Sequence, residues 1–339
     1  MPNKKLLNTA KYSVFLFIGI FLFWLIYKNL ELEVLKKQLK NLQFQWIILA
    51  IVIGLLSHLI RAYRWRILIR SIGYNTRISN TFFAVMIMYM VNLAIPRGGE
   101  IGRCSVLKKY DKVPFTKLFG TIVIERSTDL FAMLFFTIVI AIMQYDIFID
   151  FLSKHPEIKA RLLSIFSVQN ILIGTAVLGL IIYLIIRFNN RRKTSGITTK
   201  LYELWDNFKL GLKSIKQLNN SGLYIIHTVL IYFLWLVMLY VIFFSYEPTS
   251  HLSILAGWSA FVLSELAMVV PVQAGIGAWH FMVYETLFVY GIDKTNGKIF
   301  ALIAHSSINL SLLFFGFISL IALPVINSYY KKRQTVPAA

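Results

Sequence analysis

Long apolar runs recur along this chain, at residues 12–27, 46–60, 119–143, 170–188, 223–246, 253–272, 278–291 and 299–327. Several reach the roughly 20 residues that carry an α-helix through about 30 Å of hydrocarbon. Backbone groups find no water in that layer, so a bundle of helices is the arrangement such runs permit. A hydrophobic content of 58% over 339 residues exceeds that of ordinary soluble domains, and the chain reads as an all-α polytopic membrane protein. The first run follows Lys4, Lys5 and Lys11 without a small-residue cleavage site, so it is expected to be a retained helix. One cysteine, Cys104, excludes an internal disulfide or a cysteine metal cluster.

The formal charge is +20. On a soluble chain that would suggest nucleic acid, but here the basic residues flank apolar runs. An anionic membrane face is the expected partner, with no nucleic acid, metal or cofactor. The longest polar interval, 188–222, is the size of a loop and one surface helix. No phosphate loop, HExxH or serine elbow lies in a plausible context, so the chain is not expected to be an enzyme.

Loop charge orients the spans. Residues 61–77 hold Arg61, Arg64, Arg66, Arg70 and Arg77 without an acid, and 97–118 hold six bases against Glu100 and Asp111. Both belong on the cytoplasmic side. The apolar stretch between them, which stops at "IPRGGEIGR", must therefore dip in and return as a re-entrant hairpin. Continued along the chain, this reading gives about six transmembrane helices and two re-entrant helical hairpins, with both termini cytoplasmic. The tryptophans, including Trp24, Trp46 and Trp65, read as interface anchors.

The two halves of this single membrane domain align. "TIVIERSTDLFAMLFF" (121–136) sets Glu125 over His305 and Asp129 over Asn309 of "ALIAHSSINLSLLFF" (301–315). "IPRGGEIG" (95–102) sets Pro96, Ile101 and Gly102 over Pro271, Ile276 and Gly277. Each half also carries an amphipathic stretch, at 32–42 and 201–215, that reads as an interfacial helix. Three spans per half make the repeats inverted, at about 12–143 and 170–327. Inverted repeats with broken helices are an architecture of secondary transporters, whose sites lie near the midplane. The hairpin tips are expected at Pro96, Gly98 and Gly99, and at Pro271, Gly275 and Gly277.

Glu125 and Asp129, four apart, share one helix face, and Arg126 is three from Asp129. Ionisable groups in a membrane cost roughly 2.5–3.5 kcal/mol each, so they pair or line a polar cavity. Their candidate partners are Arg97, Arg103, Arg61 and Arg64. With Glu100 these residues suggest a cationic cavity for an anionic headgroup, arginine being suited to phosphate and carboxylate. They equally suit a plainer role, in which the carboxylates neutralise the arginines and pin the hairpin. Arg64, Arg66 and Arg70 read first as an anchor for anionic lipid. Glu265, and less so Glu285, are candidates for the cavity wall. His280 and His305 admit a proton relay, though hydrogen-bonded structural histidines are the simpler reading.

The segments "RAYRWR" (61–66), "NLAIPRGGEIGR" (92–103), "ERSTD" (125–129) and "PVQAGIGAWH" (271–280) resemble the flippase-like membrane region of bacterial lysylphosphatidylglycerol synthases, a region also found as free-standing proteins. The resemblance implies inverted repeats, re-entrant hairpins and lipid movement between leaflets. It implies functional roles for Arg97, Glu100, Arg103, Glu125, Arg126 and Asp129. The soluble aminoacyl-transferase domain of the synthases is absent, so synthesis of the aminoacylated lipid is not expected. His280 stands where the family pattern leads one to expect a glutamate. The chain is thus expected to bind and move an anionic phospholipid or polyprenyl-phosphate-linked lipid in the cytoplasmic membrane. The alternative is a non-transporting subunit presenting lipid to a separate glycosyltransferase or aminoacyl-transferase. The orientation is checked with single cysteines in a Cys104→Ser background: His251→Cys should react with an impermeant maleimide added outside, and Lys109→Cys should not.

Overall fold

A computed structural model describes residues 20–28, 30–95, 98–154, 156–165, 220–268 and 272–335, together with 167, 172 and 218. The expected repeat-two helix at 170–188 and surface helix at 201–215 lie outside the described residues, as do Pro96, Arg97 and Pro271. Helical residues 20–27 lead into α1 (Leu32–Lys40), α2 (Phe44–Ser71), α3 (Ile78–Ala94), α4 (Gly99–Tyr110) and α5 (Phe115–Met143). Two short helices follow, α6 (Tyr145–Lys154) and α7 (Pro156–Ile165). The remainder comprises α8 (Ser221–Phe243), α9 (Ile254–Ala267), α10 (Ala278–Val289) and α11 (Lys294–Thr335), with 3₁₀ turns at Glu247–Thr249 and Gln273–Gly275.

Among the described residues four helices are long and apolar enough to cross a membrane: α2, α5, α8 and α11. α3 and α9 are apolar but only 17 and 14 residues long, or about 25 and 21 Å at 1.5 Å per residue. Each folds back on its successor, α3 on α4 and α9 on α10, making two helical hairpins. α2 and α8 pack together and run antiparallel. Gln43 N–H, just before α2, donates to the Ser245 carbonyl just after α8, at 3.0 Å, while Arg64 meets Thr228 toward the other ends. The two hairpin bases, which follow α2 and α8 in the chain, consequently lie at opposite ends of the bundle.

The reading of 61–77 as a loop is corrected: α2 continues to Ser71 and carries Arg61, Arg64, Arg66 and Arg70 within it. It stops where Gly73, at φ +85°, lets Gly73 N–H reach the Arg70 carbonyl and Tyr74 N–H reach that of Ile69. Two buried clusters hold the bundle. One joins α2, α8, α9, α10 and α11 around Phe243, Phe300 and Leu287; the other joins α2, α3, α4 and α5 around Trp65, Leu68, Met88 and Leu107. Trp65 is therefore no interface anchor. It is fully buried, with Nε1 donating to Thr121 Oγ1 at 2.8 Å.

Gly99 brings α4 against the backbone of α3. A Cβ there would overlap the Met88 carbonyl and sit 2.8 Å from Asn92 Oδ1. At the other end of α4, Lys112 holds φ +58°, a conformation that costs L-residues roughly 1–2 kcal/mol. Unfolding measured in micelles should show Gly99→Ala destabilised by about 1–3 kcal/mol, and Lys112→Gly unchanged or stabilised by up to about 1 kcal/mol.

Candidate functional site

α5 presents two stripes to its neighbours. Leu118, Thr121, Ile122 and Glu125 are buried, and Asp129 continues this stripe one turn on. Phe119, Val123, Arg126 and Leu130 line a large cavity, which Ile122 also reaches. α2 matches the first stripe with a face of its own, Ser57, His58, Arg61, Arg64, Trp65 and Leu68, all buried at helical spacing.

Where the two faces meet, a charged cluster forms in the middle third of α5. Arg61 Nε donates to Glu125 Oε1 at 2.8 Å, and its Nη2 to Asp129. Arg64 Nη2 donates to Asp129 Oδ1 at 2.7 Å and to Glu125 Oε1 at 3.1 Å, while its Nη1 donates to Thr228 Oγ1 at 3.1 Å. Arg103, from α4, places Nη1 2.8 Å from Glu125 Oε2, an ion-pair contact off the hydrogen-bond axis, and lays its guanidinium over Trp65 at 4.4 Å. α3 contributes Tyr89, whose hydroxyl accepts from Arg61. α8 contributes Tyr232, whose hydroxyl donates to the Asp129 carbonyl at 2.7 Å.

Three buried arginines thus face two carboxylates, and the cluster keeps one uncompensated positive charge. Arg64, expected to be a lipid anchor, is instead wholly buried and doubly ion-paired. The neutralising role of Glu125 and Asp129 is the one their contacts display. Beside the cluster, the Arg126 side chain is 44% exposed and only 3.7 Å from Glu100 and from Asp129. Glu100 keeps a buried Oε2 without a hydrogen-bond partner. At the hairpin tip, Gly99 N–H donates to Asn92 Oδ1 at 2.8 Å.

The cavity, about 1460 Å³, is lined by Arg61, Glu100, Arg126, Glu265, His305 and Asn309 among its polar residues. Arg103, Glu125, Asp129 and His280 do not reach it, contrary to their expected place on its wall; the first three lie behind Arg61 and Arg126. Ile95, Ile101, Phe119 and Leu130 line it too, and are each about half exposed. The cavity therefore has a charged end and an apolar wall. Glu285 is elsewhere, 3.1 Å from Lys294.

The second hairpin closes the far wall. Its tip turns through Ala274 (φ +51°), Gly275 (φ +70°) and Gly277 (φ +84°). His305 Nε2 donates to the Ala274 carbonyl at 2.8 Å, Gly277 N–H donates to His280 Nδ1 at 3.3 Å, and the two imidazoles lie 4.2 Å apart. Asn309 Nδ2 donates to the His305 carbonyl at 2.8 Å. His280 Nε2 is buried without a hydrogen-bond partner. Among the described residues no group of three or more His, Cys, Asp or Glu side chains is disposed to hold a metal ion.

Sequence reasoning missed His58, whose ring packs on Tyr89 at 4.3 Å, along with Tyr89 and Thr228. His58 lies three residues from Arg61, so helical spacing would have placed it on the buried face had α2 been carried past residue 60.

The bundle of membrane helices thus encloses a large cavity with a charged end and apolar walls. The chain belongs to the family described as the lysylphosphatidylglycerol synthase TM region, which it matches over residues 12–332. It is 30% identical over 135 residues to a UPF0104 membrane protein of Methanocaldococcus jannaschii, a stretch covering 39% of this chain and 40% of that one. It is 23% identical over 248 residues to a UPF0104 membrane protein of Methanothermobacter thermautotrophicus, covering 69% of this chain and 72% of that one. No solved structure matches. Family membership and the helical membrane architecture support a lipid-handling role of the flippase-like kind.

Breaking a buried ion pair leaves a bare charge and costs about 3–5 kcal/mol, whereas an exposed pair is worth at most about 1 kcal/mol. Arg64→Ala should therefore lower unfolding stability in micelles by about 3–5 kcal/mol, and Arg126→Ala by less than about 1 kcal/mol.

Proposed function

We propose that this protein moves an anionic phospholipid, or a lipid linked to polyprenyl phosphate, between the leaflets of the cytoplasmic membrane. The observation that carries this reading is Arg126. It stands half exposed on the wall of an amphipathic cavity, next to a buried cluster with one positive charge to spare. A phosphate at that end would meet Arg126 and the field of the cluster, and Arg97, carried over from the family pattern, would add to them. Acyl or prenyl chains would leave between Ile101, Phe119 and Leu130 into lipid. The buried Arg61, Arg64, Arg103, Glu125 and Asp129 would act as a rigid support that holds α2, α4 and α5 in register.

The same reading treats the two hairpins as re-entrant and the halves, about 12–143 and 170–327, as inverted repeats. It is supported by α4 and α10, each twelve residues long, followed by Lys112 and Gly291 in the same left-handed conformation. The hairpin bases at opposite ends of the bundle support it as well. Basic residues near the base of the first hairpin, among them Arg70, Arg77, Lys108 and Lys109, favour that end and both termini as cytoplasmic.

Reconstituted vesicles carrying a fluorescent anionic phospholipid provide the test. Arg126→Ala should cut translocation at least tenfold while the protein stays folded. Equal rates for variant and wild type would overturn the reading, and absence of transport with tight co-purification of a lipid-modifying enzyme would favour a lipid-presenting subunit instead.

A further inference from the structure

One carboxylate on the cavity wall takes part in none of the contacts described so far. Glu265 lies in the last turn of α9, which ends at Ala267. Among the described residues no hydrogen bond or ion pair reaches its carboxylate. Glu100, Glu125, Asp129 and Glu285 each stand within 3.7 Å of a basic side chain. The helix gives Glu265 no support either. A carboxylate in a last turn meets the negative end of the macrodipole, and α9 has no basic residue there.

The groups around Glu265 carry both signs. α2 faces it with Arg61 and His58, α5 with Asp129 and Arg126, α8 with Tyr232, and α11 with His305. α3 adds Tyr89 and α4 adds Glu100 to the same cavity. α10, the other arm of its hairpin, carries His280, Tyr284 and Glu285, none of which lines the cavity. Among these groups Arg61 is the charge that acts on Glu265 most. Around the charged end, then, Arg61, Arg64, Arg103 and Arg126 stand against Glu100, Glu125, Asp129 and Glu265. The carboxylate that answers the spare positive charge of the buried cluster is Glu265, held near it and paired with nothing.

A phosphodiester arriving at this end brings one more negative charge than the four arginines balance. Glu125 and Asp129 are locked in ion pairs, and Glu100 has Arg126. Glu265 is the acid whose neutralisation breaks no contact. We propose that Glu265 binds one proton when an anionic headgroup enters, so that lipid and proton occupy the cavity together. The inference rests on the reading of the charged end as a phosphate site. The step adds a proton from solution to a Glu265 oxygen and makes or breaks no bond in the lipid. It returns the site to the charge it has when empty. A lipid anion and a proton that cross together carry no net charge through the bilayer, so a proton gradient can drive their movement.

Calorimetric titration of the full-length protein in micelles with dihexanoylphosphatidylglycerol reads this coupling, because a phosphodiester does not itself titrate near neutral pH. Repeating the titration at one pH in buffers of different ionisation enthalpy counts the protons taken up. Wild type should take up about one proton per lipid bound, and its affinity should fall by up to about tenfold per pH unit as the pH rises. Glu265→Gln, neutral and of the same shape, should bind with no proton uptake and with an affinity independent of pH. His58→Gln, His305→Gln and Glu100→Gln should each keep the uptake. Binding to wild type without proton uptake, or uptake that survives Glu265→Gln, would overturn the coupling and leave the phosphate site standing. The first of these outcomes needs no variant to fold. Failure of wild type to bind the lipid would remove the phosphate site and the coupling with it.

Discussion

Everything in this fold is arranged around charges that the membrane would reject one at a time. Glu125 accepts from Arg61 and Arg64 and contacts Arg103, so a single carboxylate joins α2, α4 and α5. Asp129, one turn on, repeats the link to Arg61 and Arg64. In a low-dielectric interior such pairs repay desolvation only with good geometry and satisfied remaining donors. Tyr89 and Thr228 supply further partners to Arg61 and Arg64, whereas Arg103 rests on the Trp65 ring and keeps Nε, Nη1 and Nη2 buried without a hydrogen-bond partner. The cluster specifies a register. A slip of one residue in α2 or α5 would turn a charge toward lipid.

From this fixed point the division of labour in α5 follows. Its buried stripe anchors the bundle, and the adjacent stripe through Arg126 faces the cavity. The members of the charged set therefore differ in what they touch. Glu125, Asp129 and Arg103 are in the packing. Arg126 and Glu100 stand where a ligand can reach them, and Arg61 touches both regions.

Much of this was legible in the residues because insertion energetics leave few choices for a carboxylate in an apolar run. The pairing of Glu125 and Asp129 with arginines followed from that alone, and the fold-back at "IPRGGEIGR" from the basic residues on either side of it. The errors have one root. A change from apolar to basic residues at 61 was read as the edge of the membrane run, whereas the helix goes on to Ser71 because Arg61 and Arg64 find carboxylates on another element. Partners supplied from 60 residues away do not show in local hydropathy. Trp65 was misplaced for the same reason, its burial being a consequence of Arg103 and Thr121.

The cluster also bears on how the chain enters the membrane. Arg61 and Arg64 leave the ribosome well before Glu125 and Asp129, and Thr228 later still. Until α5 arrives, α2 holds two arginines with no acid of the cluster to meet them, and release into lipid at that stage carries the full cost of bare charge. α2 is thus obliged to wait beside the insertion machinery or at the interface. Pairing with α5 before release into lipid would avoid that cost, which would make the order of synthesis part of the folding mechanism.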